Sequence, residues 1–173
     1  MTKENLKKQI LGGKIFIYPT DTIYGLGCNA LIKESVNKIK KVKKRDFNKP
    51  LSVIAPSLKW IKKYCVVSKL NLKKYFPGPY TIILKKKNPK FLSHVNHGNT
   101  LGVRIPNHEF TKKIQKTGAP FITTSVNLSS KPSIKKISEV PEDIKNKVDF
   151  IIDYGLLSGK PSTLIINGKE VKR

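Results

Sequence analysis

The chain has 173 residues and a mass of 19.5 kDa, the length of one domain (residues 1–173) and enough to bury a core. Hydrophobic residues at 38% and charged residues at 27% exclude disordered and collagen-like classes. Apolar runs such as Ile15 to Tyr18 are too short to span a bilayer, and the charged N-terminus has no signal-peptide core, which predicts a cytoplasmic protein with no membrane partner.

In chain order, residues 4–11 suit a short amphipathic helix ended by Gly12-Gly13, and Lys14 to Tyr18 reads as a buried strand. Thr20 to Gly27 is too rich in glycine and hydroxyl groups for a core element. From Glu34 to about Lys44, Val36, Ile39 and Val42 recur every three residues and predict a helix with a basic outer face. Leu51 to Ala55 is a strand, with Ser57 as N-cap of the next helix. Further strands are expected at Tyr80–Leu84, Leu101–Ile105, Phe121–Thr124, Asp149–Asp153 and Thr163–Ile166, with a helix reaching about Lys116. Alternating strands and helices predict an α/β domain with a largely buried sheet.

Charge points to anionic ligands: 35 basic against 11 acidic side chains give +24. Lysine enrichment by itself is equally compatible with a solvated surface. The arginines are more telling, because 32 lysines accompany only Arg45, Arg104 and Arg173. Where lysine is so freely used, an arginine marks a place that needs a planar, bidentate donor. Arg104 stands in an otherwise apolar strand and therefore demands an anionic partner. Arg45 and Lys49 lie beyond the expected end of their helix, where they could converge on a triphosphate.

Three strand ends run into segments rich in Ser, Thr, Asn and Gly: Thr20–Gly27, Thr123–Ser133 and Gly155–Thr163. In open α/β sheets, ligands bind beyond strand ends, where hydroxyls and backbone N–H groups grip phosphates. One such loop is an ordinary turn; three beside a basic cluster indicate a nucleotide-scale site. Two other matches fail. Gly155 to Ser162 has one residue too few between its glycines for a P-loop, and Pro161 removes a needed N–H. His94 and His97 lie in a loop with no third ligand nearby, so no protein-bound metal cage is expected. Cys28 and Cys65 match neither a zinc nor a redox spacing and read as buried thiols. With no Ser/His/Asp set either, the expected chemistry is positioning and charge stabilisation, as in nucleotidyl transfer.

The order of segments resembles the YrdC-type family of threonylcarbamoyl-AMP synthases over about residues 5–167. The resemblance rests on Pro19-Thr-Asp-Thr-Ile-Tyr-Gly-Leu-Gly, Lys43-Lys-Arg45 with Lys49-Pro-Leu, and Phe76-Pro-Gly-Pro-Tyr-Thr-Ile-Ile-Leu. It continues through Val103-Arg-Ile-Pro, Thr124-Ser-Val-Asn-Leu-Ser-Ser-Lys-Pro-Ser133 and Pro161-Ser-Thr-Leu-Ile. It implies a twisted, mostly parallel open sheet flanked by helices around a large basic cavity. The implied reaction takes L-threonine, bicarbonate and ATP, with Mg²⁺ on the triphosphate, to threonylcarbamoyl-AMP and pyrophosphate. A tRNA threonylcarbamoyl-transferase complex would use the product at adenosine 37 of tRNA.

Carried over by motif, Lys43 and Arg45 would be catalytic. Thr22, Arg104, Thr123 and Ser162 would bind threonine, with Tyr24 shaping the first loop. Arg45, Lys49, Thr100, Ser125, Asn127 and Ser133 would bind ATP. Val126 replaces the family's alanine, and Ser129-Ser130 a frequent Ser-Gly. Arg173 is a weaker nucleotide-contact candidate at the end of what reads as the family's short form. The alternative is a double-stranded RNA or tRNA binder without catalysis, although no aromatic stacking motif supports it; RNA binding could also accompany the enzyme. A hydrogenase-maturation carbamoyl-transfer domain would bring zinc-binding cysteine pairs, which are lacking here.

Overall fold

The computed structural model describes residues 2–68, 70–127 and 133–171. Helix α1 (Lys3–Leu11) begins where the Thr2 hydroxyl accepts the Asn5 N–H, and it ends at Gly12. Strands β1 (Phe16–Tyr18) and β2 (Gly25–Gly27) follow, then α2 (Lys33–Val42), β3 (Ser52–Ile54) and α3 (Leu58–Tyr64), the last capped by Ser57 as expected. Next come β4 (Cys65–Val66), β5 (Tyr80–Lys86), β6 (Thr100–Arg104), α4 (Glu109–Gln115), β7 (Phe121–Ser125) and α5 (Glu142–Lys145). The described chain closes with β8 (Phe150–Ile151), β9 (Thr163–Ile166) and β10 (Lys169–Val171).

The ten strands among the described residues form one sheet in the order β10-β9-β5-β6-β3-β7-β2-β1-β8, with β4 pairing β5. The α/β open sheet flanked by helices is borne out, but its strands are not mostly parallel. Among the described residues, only β1–β8, β3–β6 and β5–β9 pair in parallel; the other pairings are antiparallel. The reason lies in the connections. A parallel neighbour needs a crossover of about a dozen residues or more, whereas β1 reaches β2, and β9 reaches β10, through short turns.

Gly25–Gly27, read from sequence as loop, is a buried strand between β1 and β7. Its glycines permit close packing: a Cβ on Gly27 would collide with the Ile122 carbonyl and with the Phe121 ring.

Side chains alternate across the sheet, so each strand serves two layers. Val53, Ile122, Val103 and Ile82 face the larger core, which includes Val36 and Ile39 of α2 and Ile61 of α3. On the other face, Ile54 and Phe121 pair in register and pack with Phe16, Tyr18 and the apolar sides of α1 and α4. Ring centroids 5.6 Å apart for Tyr18–Phe121 and 6.1 Å apart for Phe16–Phe121 make this layer stiff; each such pair contributes about 1 kcal/mol. Farther along this same face the pairs become polar: Ser52 opposite Thr123, and Ser52 beside Gly102. That change from apolar to hydroxyl residues makes this end of the sheet face polar.

Candidate active site

The polar end of this face is the floor of a cavity of about 350 Å³. Ser52, Thr81, Thr123 and Ser125 supply hydroxyls, and Arg45 and Arg104 supply positive charge. Gly102 keeps the floor low, because a Cβ there would run into the Ser52 hydroxyl and lie 3.3 Å from Ile83 Cδ1. The walls come from the segment after β1, the segment between α2 and β3, and the approach to β9.

Arg104 is 7% exposed, and Asp21 is its ionic partner: the guanidinium Nη2 donates to Asp21 Oδ1 at 3.0 Å. The same Nη2 donates to Thr22 Oγ1 at 3.2 Å, and Asp21 Oδ2 accepts the Asn107 N–H at 2.9 Å. Thr22 is further held by the Thr20 hydroxyl at 2.8 Å, which itself donates to the Ile23 carbonyl. A carboxylate shared between a guanidinium and a backbone N–H fixes the direction of the arginine fork. The anionic partner required by sequence reasoning is therefore a residue of the chain, Asp21, which that reasoning did not single out. The available signal was a carboxylate, in a chain with 11 acids, one residue from Thr22.

Arg45 reaches the cavity by a change of chain direction. α2 ends at Val42, two residues earlier than expected, and Lys44 adopts φ 48°. The Lys44 N–H donates to the Lys41 carbonyl and the Arg45 N–H to the Lys40 carbonyl, both at 3.0 Å, closing a Schellman turn without glycine. Lys40 anchors the following loop by donating to the carbonyls of Phe47 and His94. Arg45 Nη2 then donates to the Pro50 carbonyl at 2.9 Å, while buried Nε has no hydrogen-bond partner among the described residues. Burial pulls this guanidinium below its ordinary pKa, though arginine stays charged. A buried, cationic donor at a cavity wall suits a ligand oxygen.

The remaining wall is set by Tyr24. Its hydroxyl donates to the Gly155 carbonyl at 2.9 Å, lies 3.1 Å from Asp153 Oδ1 and accepts the Tyr154 N–H at 2.8 Å. Burial raises the Tyr24 pKa; the Tyr154 N–H opposes that rise, and the Asp153 contact adds to it. Tyr24 thus holds residues 153–155, and from there the chain passes directly over Thr22 at Gly159. It returns to the floor at Ser162, whose hydroxyl is 2.7 Å from that of Thr81.

Of the residues expected from sequence, Arg45, Arg104, Thr123, Ser125 and Ser162 line one cavity. Thr22, Lys43 and Asn127 lie directly behind it, tied to Arg104 and Ser125. Thr100 points to the same sheet face as Gly102 and Arg104 but stands exposed at the start of β6, outside the lining. Lys49 is exposed in the loop after Arg45, and half-buried Ser133 is also outside the lining. Ser129, Ser130 and Arg173 lie outside the described residues. Sequence reasoning missed Asp21, Ser52, Thr81 and Gly159. Cys28 and Cys65 are buried free thiols; burial pushes Cys65 up to about 11. His94 Nε2 is 2.8 Å from the Ala30 carbonyl, a structural contact.

The fold and cavity together define an open α/β sheet domain with a hydroxyl-rich, doubly cationic cavity on one sheet face. The chain belongs to the Sua5/YciO/YrdC family, whose model, described as telomere recombination, matches residues 8–172. A relative from Methanocaldococcus jannaschii is 42% identical over 166 residues, covering 94% of this chain and 78% of its own. The threonylcarbamoyl-AMP synthase of Pseudoalteromonas translucida is 30% identical over 169 residues, with 91% and 89% covered. Among solved structures, Pyrococcus abyssi Sua5 complexed with L-threonine is similar with a TM-score of 0.81 and 30% identity. That match covers 96% of this chain, which spans about half (51%) of the Pyrococcus chain.

Proposed function

We propose that residues 1–173 act as one YrdC-like unit that synthesises L-threonylcarbamoyladenylate from L-threonine, bicarbonate and ATP, releasing pyrophosphate. The observation that carries this reading is that Arg45 and Arg104, 59 positions apart in the chain, line one cavity together with a set of hydroxyls. The names of the relatives and the threonine-bound Pyrococcus structure support it.

In this reading Arg104, aimed by Asp21 and Thr22, receives the threonine carboxylate, while Thr123 and Ser162 meet its polar groups. Arg45 faces the triphosphate, with Ser125 and Asn127 on the nucleotide side and Lys49, Thr100 and Ser133 along the outer path. The threonine amine forms an N–C bond to the bicarbonate-derived carbon and gives up a proton, and one bicarbonate oxygen leaves as water. A carbamate oxygen then attacks the α-phosphorus, breaking its bond to the bridging oxygen of pyrophosphate. Two anions must approach each other here, so fixed cations that need no reorganisation lower the barrier. Mg²⁺ enters as part of the MgATP substrate; among the described residues no cluster of three or more His, Cys, Asp or Glu side chains forms a metal site. The product would pass to the tRNA threonylcarbamoyl-transferase complex in the cytoplasm. No described helix is long and apolar enough to cross a membrane.

The test is pyrophosphate release from MgATP with bicarbonate, with and without L-threonine, alongside mass spectrometry of the products. Threonine-dependent release with the adenylate mass is the expected result. Folded protein that binds RNA in a salt-sensitive way but releases no pyrophosphate would overturn the proposal.

A further inference from the structure

Among the described residues, three lysines are almost fully buried, each 2% exposed: Lys40, Lys43 and Lys86. A buried ammonium is costly unless its three N–H groups find acceptors. Lys40 donates to the carbonyls of Phe47 and His94. Lys86 donates to those of Pro89, Phe91 and Asn96. Both ammonium groups tie loops together. Lys43 has the same arrangement: Nζ donates to the Ser125 carbonyl at 2.5 Å, the Asn127 carbonyl at 2.7 Å and Asn127 Oδ1 at 3.2 Å. Three donors meet three acceptors, all on the segment that leaves β7.

Arg45, only two residues away, behaves differently. The left-handed turn at Lys44 sends Lys43 beneath the end of β7 and Arg45 into the cavity. The Ser125 hydroxyl, which lines the cavity, donates to the same Asn127 Oδ1 that Lys43 holds. Removing the ammonium therefore releases the nucleotide side of the site without removing a charge from its surface.

We propose that Lys43 is a positioning residue and not a phosphate ligand: its ammonium locks the end of α2 to Ser125 and Asn127 and so shapes the nucleotide-binding wall. This rests on the reading of the cavity as an ATP site. Burial, reinforced by the neighbouring Arg45 charge, lowers the Lys43 pKa to about 8. Arg45 is the charged group that repels its ammonium, and Lys43 has no ion pair among the described residues. Alkaline pH should therefore loosen the same lock that a mutation removes.

The distinguishing measurement is the dissociation constant of ATP and of adenosine, by competition with a fluorescent ATP analogue, for wild type, Lys43→Met and Arg45→Met. A positioning role predicts that Lys43→Met weakens ATP and adenosine by the same factor, about tenfold, because both depend on the wall. Arg45→Met should weaken ATP and spare adenosine. Loss of ATP binding alone in Lys43→Met would make Lys43 a phosphate ligand and overturn the inference. If Lys43→Met does not fold, wild type between pH 7 and pH 9.5, a range set around that pKa of about 8, decides the matter. Both ligands should weaken in parallel; a change in ATP alone, or in neither, refutes the positioning role. Wild type that binds no ATP at all overturns the proposed function together with this inference.

Discussion

Gly159→Ala probes the wall that closes over Thr22. A Cβ at Gly159 would collide with the Thr22 carbonyl oxygen and lie 2.6 Å from Thr22 Cα and 2.7 Å from its carbonyl carbon. Ordinary contacts of this kind begin at 3.4 Å, and every obstructing atom is backbone, so no side-chain rotation relieves the clash. The two segments must separate by roughly 1 Å, a misplacement of the size that costs about 100-fold in rate. Overpacking also costs about 1–3 kcal/mol, or roughly 2–12 °C in Tm for a chain of this length. Gly118→Ala is the control, since nothing lies within 4 Å of its Cβ position and its φ of +78° imposes only backbone strain. Both variants should melt earlier. Only Gly159→Ala should lose about 100-fold in kcat/KM for threonine-dependent pyrophosphate release. Wild-type kcat/KM in Gly159→Ala, or equal losses in the two variants, would refute the claim that this contact forms the site.

Asp21→Asn should raise the threonine KM more than it lowers kcat, and cost about 3 kcal/mol in chemical denaturation, because it leaves Arg104 buried beside a neutral partner. Unchanged KM would detach Asp21 from the site. Lys44→Gly should stabilise the protein by about 1 kcal/mol in urea, since it relieves a non-glycine residue at φ 48°; a destabilised variant would contradict the turn geometry. At Asp149, burial pushes the pKa up, but the Ile15 N–H and Lys14 outweigh it and hold the carboxyl below its ordinary value. Such a group contributes stability above its unfolded pKa and loses it as pH falls through the depressed folded value. Asp149→Asn should therefore cost about 1 kcal/mol near pH 7 and progressively less in acid; a cost independent of pH, by urea titration, would refute this link between β1 and β8.

Elements whose cause lies within a few neighbouring residues were legible from sequence. Gly12 and Ser57 mark helix ends by local hydrogen bonds, and the three-residue recurrence of Val36, Ile39 and Val42 marks the buried stripe of α2. The scarcity of arginine directed attention to Arg45 and Arg104, both of which line the cavity, because a guanidinium among so many lysines signals a geometric need.

Tertiary contacts decided the rest. Gly25–Gly27 looks like loop because local propensity cannot register that Ile122 and Phe121 leave no room for a side chain. Asp21 and Arg104 are 83 residues apart, a pairing no periodicity encodes. Lys43 and Arg45 look equivalent along the chain, yet one turn at Lys44 buries the first beneath β7 and points the second into the cavity. Local hydrogen-bonding and hydrophobic preferences act over a turn or a strand. The partner of a buried charge is chosen only when the sheet brings distant loops to one end.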